Sequence, residues 1–353
     1  MGFDISKNKW LQKITSNHLL KIILSRLFMV WIVITLTFFI VRALPGNPID
    51  IFVTEQMEKF GLSEREARQR ASTVLCFDVN GSLDTQYLKY LGNILRGDLG
   101  NSCAVAPNES VIELVLANLP WTLFSVGTSL VISFLIGMLL GMFAAYQRNT
   151  GIDHLITNLS AVIDSIPNTL TAVIFIFLVG VVWNLTPASE MRGALSPRIQ
   201  PGFNLVFIAD VLKHYIWPGS IYILTTVGGW ALAMRSNTLS VLGEDYVMAA
   251  RARGLTDMRI LTVYIGRNAC LPLVTSLGIS LGFVVGGSVL IEKIFVYRGV
   301  GSLLLTAIEK RDYPLIQGIL LLTTITVILS TLLVETLYTR LDPRMRTHGI
   351  QGD

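Results

Sequence analysis

The chain has 353 residues and a formal net charge of +4, with 52% hydrophobic and only 15% charged side chains. A soluble domain carries about 25% charged residues, so a mean hydropathy of +0.59 excludes a disordered chain, a basic nucleic-acid binder and an ordinary soluble enzyme. The expected solvent is a lipid bilayer, and three cysteines are too few for a disulfide scaffold.

A spanning helix needs about 20 mostly apolar residues, and six such runs follow one another. A polar segment, residues 1–26, precedes the first run, Leu27–Leu44, which reads as a span rather than a cleaved leader. Pro45-Gly46-Asn47-Pro48 stops it. Residues 45–118 are polar and form an insertion, with helical stretches expected at Ser63–Thr73 and Gln86–Arg96. Cys76 and Cys103 both fall in it, where they either pair or remain two thiols; Cys270 cannot reach them. A core over residues 119–340 then holds the remaining spans: Leu119–Tyr146, Leu155–Trp183, Ile216–Thr238, Leu271–Ile291 and Leu315–Leu337. A tail, residues 341–353, closes the chain.

Charge placement orients these spans. With the N-terminus in the cytoplasm, 14 Lys and Arg residues fall in the inner segments and seven in the two short outer loops. The insertion is too long for the rule to apply. The expected architecture is therefore an all-α integral membrane protein with six transmembrane helices, both termini cytoplasmic, and an extracytoplasmic insertion between helices 1 and 2.

The chemistry-bearing motifs of self-powered machines are absent. There is no phosphate-cradling G-x-x-x-x-G-K-[ST] loop and no H-E-x-x-H. His18, His154, His214 and His348 are scattered, so neither a metal site nor a catalytic site is expected. No inverted repeat of the kind common in secondary transporters stands out. The chain reads as a membrane domain that lacks its own energy source.

The cytoplasmic segment between spans four and five is the most informative. Over residues 243–255, Glu244 and Asp245 come first, Arg251 and Arg253 come late, and Gly254 ends the run before Leu255. That charge order suits a short helix with glycine at its C-terminal cap. Tyr246, Ala249, Ala250 and Arg253 recur at helical spacing, as a small-residue face that another protein could approach closely. The alternative is an amphipathic helix lying on headgroups.

Within the spans, Asp164 is an expensive intramembrane carboxylate. With Ser165 and Pro167 it either lines a pathway or serves a helix broken by the proline. Gly278, Gly282 and Gly286 repeat every four residues, so they mark either packing inside the chain or a helix crossing at a central interface; Gly137 and Gly141 are a weaker pair. Arg235 is expected to snorkel to the interface, and Glu335 to be interfacial.

One family carries these features in this order. The stretch Gly243-Glu244-Asp245-Tyr246-Val247, Ala250-Arg251-Ala252-Arg253-Gly254-Leu255 and Arg267-Asn268-Ala269-Cys270-Leu271-Pro272 resembles the cytoplasmic loop signature of binding-protein-dependent ABC transporter permeases, the dipeptide/oligopeptide subfamily in particular. Arg42-Ala43-Leu44-Pro45-Gly46-Asn47-Pro48, Gly97-Asp98-Leu99-Gly100, Ser165-Ile166-Pro167, Glu292 with Gly299-Val300-Gly301, Arg311-Asp312-Tyr313-Pro314 and Leu341-Asp342-Pro343-Arg344 extend the likeness over nearly the whole chain. Three positions depart from it. Met248 stands where other importers have glutamate, Arg298 where proline usually precedes the glycine pair, and Asn168-Thr169-Leu170 where an aromatic pair often follows.

The resemblance implies a type I ABC importer transmembrane domain in the inner (cytoplasmic) membrane of a prokaryote. Its coupling helix over Glu244–Leu255 would dock on an ATPase subunit, and Glu292 joins Asp164 and the glycines as a pathway or gate candidate. The implied partners are a second, related permease, two ATP-binding subunits that carry ATP and Mg, and an extracytoplasmic binding protein. No cofactor and no nucleic acid are expected on this chain. Peptides are the first expected cargo; oligosaccharides and a nickel complex remain open. A lone secondary transporter or channel, and a membrane scaffold, are the rival classes.

Overall fold

A computed structural model describes residues 18–43, 48–68, 82–187, 189–197, 199–202 and 204–341. Leu44–Asn47, Cys76 and the tail signature beyond Leu341 lie outside them, as does the side chain of Glu335. Among the described residues the regular elements are all helices, joined by turns and irregular loops, with one isolated antiparallel bridge between Asn101 and Ser110.

In chain order the helices are α1 (His18–Ala43), α2 (Pro48–Phe60), α3 (Leu83–Leu95), α4 (Val111–Tyr146), α5 (Gly151–Ser165), α6 (Asn168–Val182) and α7 (Leu205–Val241). Then come α8 (Asp245–Ala252), α9 (Asp257–Ala269), α10 (Leu271–Val284), α11 (Val289–Ile294), α12 (Val300–Glu309) and α13 (Tyr313–Leu341). Of the expected Ser63–Thr73 helix, residues 64–68 are helical and those from 69 on lie outside the described residues. The expected Gln86–Arg96 helix is α3. The chain divides into two compact units, one up to Leu114 plus Ala307–Ile328, the other Val115–Thr306 plus the residues from Leu329.

Among the described residues three helices, within α1, α4 and α13, are long and apolar enough to cross a membrane; counting each of two bent pairs as one span raises this to five. The third expected span is such a pair. It breaks between α5 and α6 with a bend of 95°. Ile166, forced out of the helical region by the proline that follows it, is extended at φ −86°, ψ 124°, and Pro167 starts the new direction. The expected fifth span also breaks. α10 ends at Val284, a turn with Gly287 at φ +72° follows, and α11 begins at Val289. Gly286 is therefore outside the helix, and the three expected glycines do not share one helix face. Gly278 faces α13, where a methyl group would collide with Val334, so at this position the packing is inside the chain.

The second unit is organised around the α4–α7 contact. A Cβ on Gly137 would stand 2.5 Å from Cβ of Trp230, and one on Gly141 would collide with the α7 backbone at Ala231. Such small residues let two backbones approach where lipid supplies no hydrophobic drive. Phe134, Met234, Ala269 and Leu273 fill the space beside this contact. The pair that looked weaker in sequence thus makes the closer helix crossing.

Arg235 does not snorkel. Its Nε donates to Asp153 Oδ1 at 2.6 Å and a terminal nitrogen to Oδ2 at 2.9 Å. Asp153 is 1% exposed and also accepts from Asn149 N and Thr157 Oγ1. This two-pronged pair ties the start of α5 to the second half of α7.

Candidate functional site

The segment 243–255 folds as expected in outline. Asp245 opens α8 and Arg251 lies in its last turn. Gly254, at φ +72°, takes the left-handed cap position. Its N–H donates to Arg251 O at 2.9 Å, and that of Leu255 to Ala250 O at 3.4 Å, the paired bonds of a Schellman ending.

The face α8 presents differs from the expected one. Val247 and Ala250 are buried against Ile260 and Ile265 of α9, with Tyr246 and Leu255 packed alongside. Asn268 Nδ2 donates to the Tyr246 hydroxyl at 2.9 Å. Tyr246, Ala250 and Leu255 therefore anchor α8 to its own chain. Its outer surface carries Glu244, Asp245, Ala249, Arg251 and Arg253 together with Met248, which is 58% exposed. Asp245, Met248, Ala249 and Ala252 share one helix face by their spacing. Met248, a departure from the family pattern, is placed on this face by the same periodicity once the inward residues are known.

The second candidate lies at the α5–α6 bend. A cavity of about 560 Å³ is walled on one side by Tyr222, Thr226, Gly229 and Trp230 of α7 and on the other by Asp164 and Asn168. Asp164, one residue before the end of α5, is exposed to it and makes no hydrogen bond among the described residues. Its Oδ1 would be 2.8 Å from a Cβ on Gly229, so glycine is what lets the carboxylate approach α7. Ser165 Oγ donates to Val162 O at 2.8 Å. The local service thus falls to Ser165, and Asp164 is left facing the cavity. The α7 wall repeats at helical spacing (222, 226, 229, 230), a signal present in the sequence but masked by the apolar run around it.

Glu292 lies apart from this cavity. It is 2% exposed and accepts from Ser302 N at 2.8 Å and Thr122 Oγ1 at 3.1 Å. Thr122 Oγ1 in turn accepts from Val300 N at 2.8 Å. The carboxylate thus sits at the N-terminus of α12, where helical N–H groups lack internal partners. A Cβ on Gly287 would stand 2.7 Å from its Oε1, and one on Gly299 would collide with Oε2. The glycines flanking it make room for a buried acid. Burial pushes the Glu292 carboxyl up to about 7 against the hydrogen bonds that lower it. In this conformation it braces the segment after the fifth span and does not face the 560 Å³ cavity.

Among the described residues, no three His, Cys, Asp or Glu side chains come close enough to hold a metal ion. Cys103 is buried in the insertion, and its expected partner Cys76 lies outside the described residues.

Residues 137–347 match the model of a family described as the binding-protein-dependent transport system inner membrane component. The dipeptide transport system permease protein DppB of Escherichia coli K12 is 35% identical over 349 residues, covering 93% of this chain and 99% of that protein. The oligopeptide transport system permease protein AppB of Bacillus subtilis 168 is 31% identical, with 88% of this chain and 93% of that protein covered. The glutathione transport system permease protein GsiC of Salmonella paratyphi A is 30% identical, with 94% and 99% covered.

Proposed function

Because the chain belongs to the binding-protein-dependent transport system inner membrane components, a family of multi-pass bacterial membrane permeases, we propose that it forms half of the translocation pathway of an ATP-driven peptide importer. The reading of the cargo is carried by the relatives' names, which speak of dipeptides, oligopeptides and glutathione. A second, related permease supplies the other half. An extracytoplasmic binding protein delivers the peptide, and two ATPase subunits bind ATP and Mg; this chain holds no cofactor. Six spans follow if α7 joins α1, α4, α13 and the two bent pairs, with both termini in the cytoplasm as the basic residues favour.

Alternating access assigns the parts. α8 is the coupling helix. It is short, capped at both ends by charge and glycine, and buried on one side only. Closure of the ATPases pushes α8, and α9, which shares its core, passes the movement to α10. Placing tryptophan at Ala249, on the outer face, is expected to lower retention of the ATPase subunits on the purified permease by about five- to a hundredfold, since overpacking a close contact costs about 1–3 kcal/mol. Unchanged retention would remove the coupling assignment. Tryptophan at Ala250 is a poor test, because that side chain is buried in the chain's own core.

Asp164 is the pathway residue of first choice, because it faces the cavity with no hydrogen-bond partner among the described residues. Asp164→Asn is expected to slow peptide uptake while the complex assembles in normal yield. Wild-type uptake by that variant would reject the role. Peptide uptake against uptake of an oligosaccharide or nickel complex, measured in the same vesicles, separates the cargo readings. Uptake without any nucleotide would favour the lone transporter instead.

A further inference from the structure

The first unit holds a polar pocket that the transport cycle described above does not use. It measures about 150 Å³ and lies between the last turn of α1, one face of α3 and the start of α13. Three donors converge on it. Arg42 lays its guanidinium 3.6 Å over the Phe38 ring and donates to Gln86 Oε1 at 3.1 Å and Phe38 O at 3.4 Å. It has no carboxylate partner among the described residues, although a half-buried cation ordinarily finds one. Lys89, exposed on α3, lies on the same pocket. Gln317 is 4% exposed, and its Nε2 has no hydrogen-bond partner among the described residues. A buried donor of that kind calls for an acceptor. The pocket's own carboxylate, Asp98, is engaged by Gly100 N at 2.8 Å.

Depth identifies the acceptor. Arg42 stands in the last turn of a helix whose apolar stretch, Ile23–Ala43, is long enough to cross a membrane, which puts it level with headgroups. α3 is held against that turn by Tyr87, whose hydroxyl meets Thr35 Oγ1 at 2.7 Å and whose ring packs on Phe38. The face of α3 turned away from the pocket exposes Leu88 (67%) and Leu95 (85%), as an interfacial helix does. We infer that the pocket seats the phosphate of an anionic phospholipid headgroup, bound by Arg42, Lys89 and the Gln317 amide.

The test uses the assembled complex in detergent, with phosphatidylglycerol or phosphatidylcholine added and retention read by native mass spectrometry. The wild type is expected to retain one phosphatidylglycerol with about twentyfold preference, and Lys89→Gln to lose about fivefold, at roughly one kcal/mol per cation. Arg42→Gln with Lys89→Gln should abolish the preference. Lys89 is exposed, so its variant is expected to keep the wild-type melting temperature, and a loss there is not a folding defect. Equal retention of the two lipids, or wild-type retention by Lys89→Gln, overturns the assignment. So does displacement of the lipid by inorganic phosphate in millimolar excess, which would make free phosphate the ligand. Loss of binding-protein docking with lipid retention unchanged would give the pocket to a protein contact and equally overturn it.

Discussion

Replacing Asp312 with alanine is expected to lower stability by roughly 5 kcal/mol, because several buried donors are orphaned together at about 1–3 kcal/mol each. Asp312 is fully buried. Its Oδ2 accepts from Ser102 Oγ at 2.6 Å and from the backbone N–H groups of Cys103, Ala104 and Val105 at 3.0, 2.9 and 3.0 Å. Its Oδ1 accepts from Leu315 N at 3.3 Å, capping α13. One side chain therefore both starts a membrane helix and gathers the end of the insertion onto it. Asp312→Asn should cost less than the alanine variant, since an amide keeps one accepting oxygen. The thermal midpoint of the purified chain in one detergent, with yield as control, measures both. A midpoint for Asp312→Ala within a degree or two of wild type would mean that this gathering of donors contributes nothing to stability.

The second large effect is expected at the Asp153–Arg235 pair. Arg235→Ala leaves a carboxylate that is 1% exposed without its cation, which costs about 3–5 kcal/mol. Removing both charges, as in Asp153→Leu with Arg235→Met, should recover most of that loss, because well-packed apolar residues often replace a buried ion pair at little cost. Melting of the two single variants and the double variant reads the coupling directly. Additive losses would show that the two-pronged contact, short as it is, is not an energetic unit.

These two clamps mark what a single sequence hides. Asp153 and Arg235 are 82 residues apart, and Asp312 reaches partners 207 to 210 residues away. No local period announces such a pair, and each acid looked like an ordinary loop or signature residue. The spans were legible because about 20 apolar residues in a row have few other uses. α1, α4 and α13 fall where the apolar runs lie. The breaks were half legible. Pro167 announces that a helix must stop, since it excludes its predecessor from the helical region, but the 95° turn is set by packing. At Gly286 and Gly287 the i+4 glycine spacing pointed to a continued helix, and the left-handed Gly287 ended it.

The 243–255 segment has helix limits that its sequence announces and a buried face that its sequence does not. Charge order and Gly254 are local signals and fix the helix limits. Which side turns inward depends on α9, whose Ile260 and Ile265 take up Val247 and Ala250. Ala250 therefore lies in the core and not on the expected docking face, and Met248 points outward. Asp164 was flagged by its cost in a membrane. Its release from local duty became visible only once Ser165 was seen bonding to Val162.

This permease is expected to move peptides only when ATPase partners drive it through α8. The direct measurement is uptake of a labelled dipeptide into proteoliposomes that hold the chain, its related permease and the two ATPase subunits, with binding protein and peptide outside. Uptake is expected with ATP and Mg inside, to be absent without nucleotide, and to be lost with tryptophan at Ala249. Equal uptake with and without ATP, or full ATP-driven uptake by the Ala249→Trp complex, would show that α8 does not couple peptide movement to the ATPase subunits.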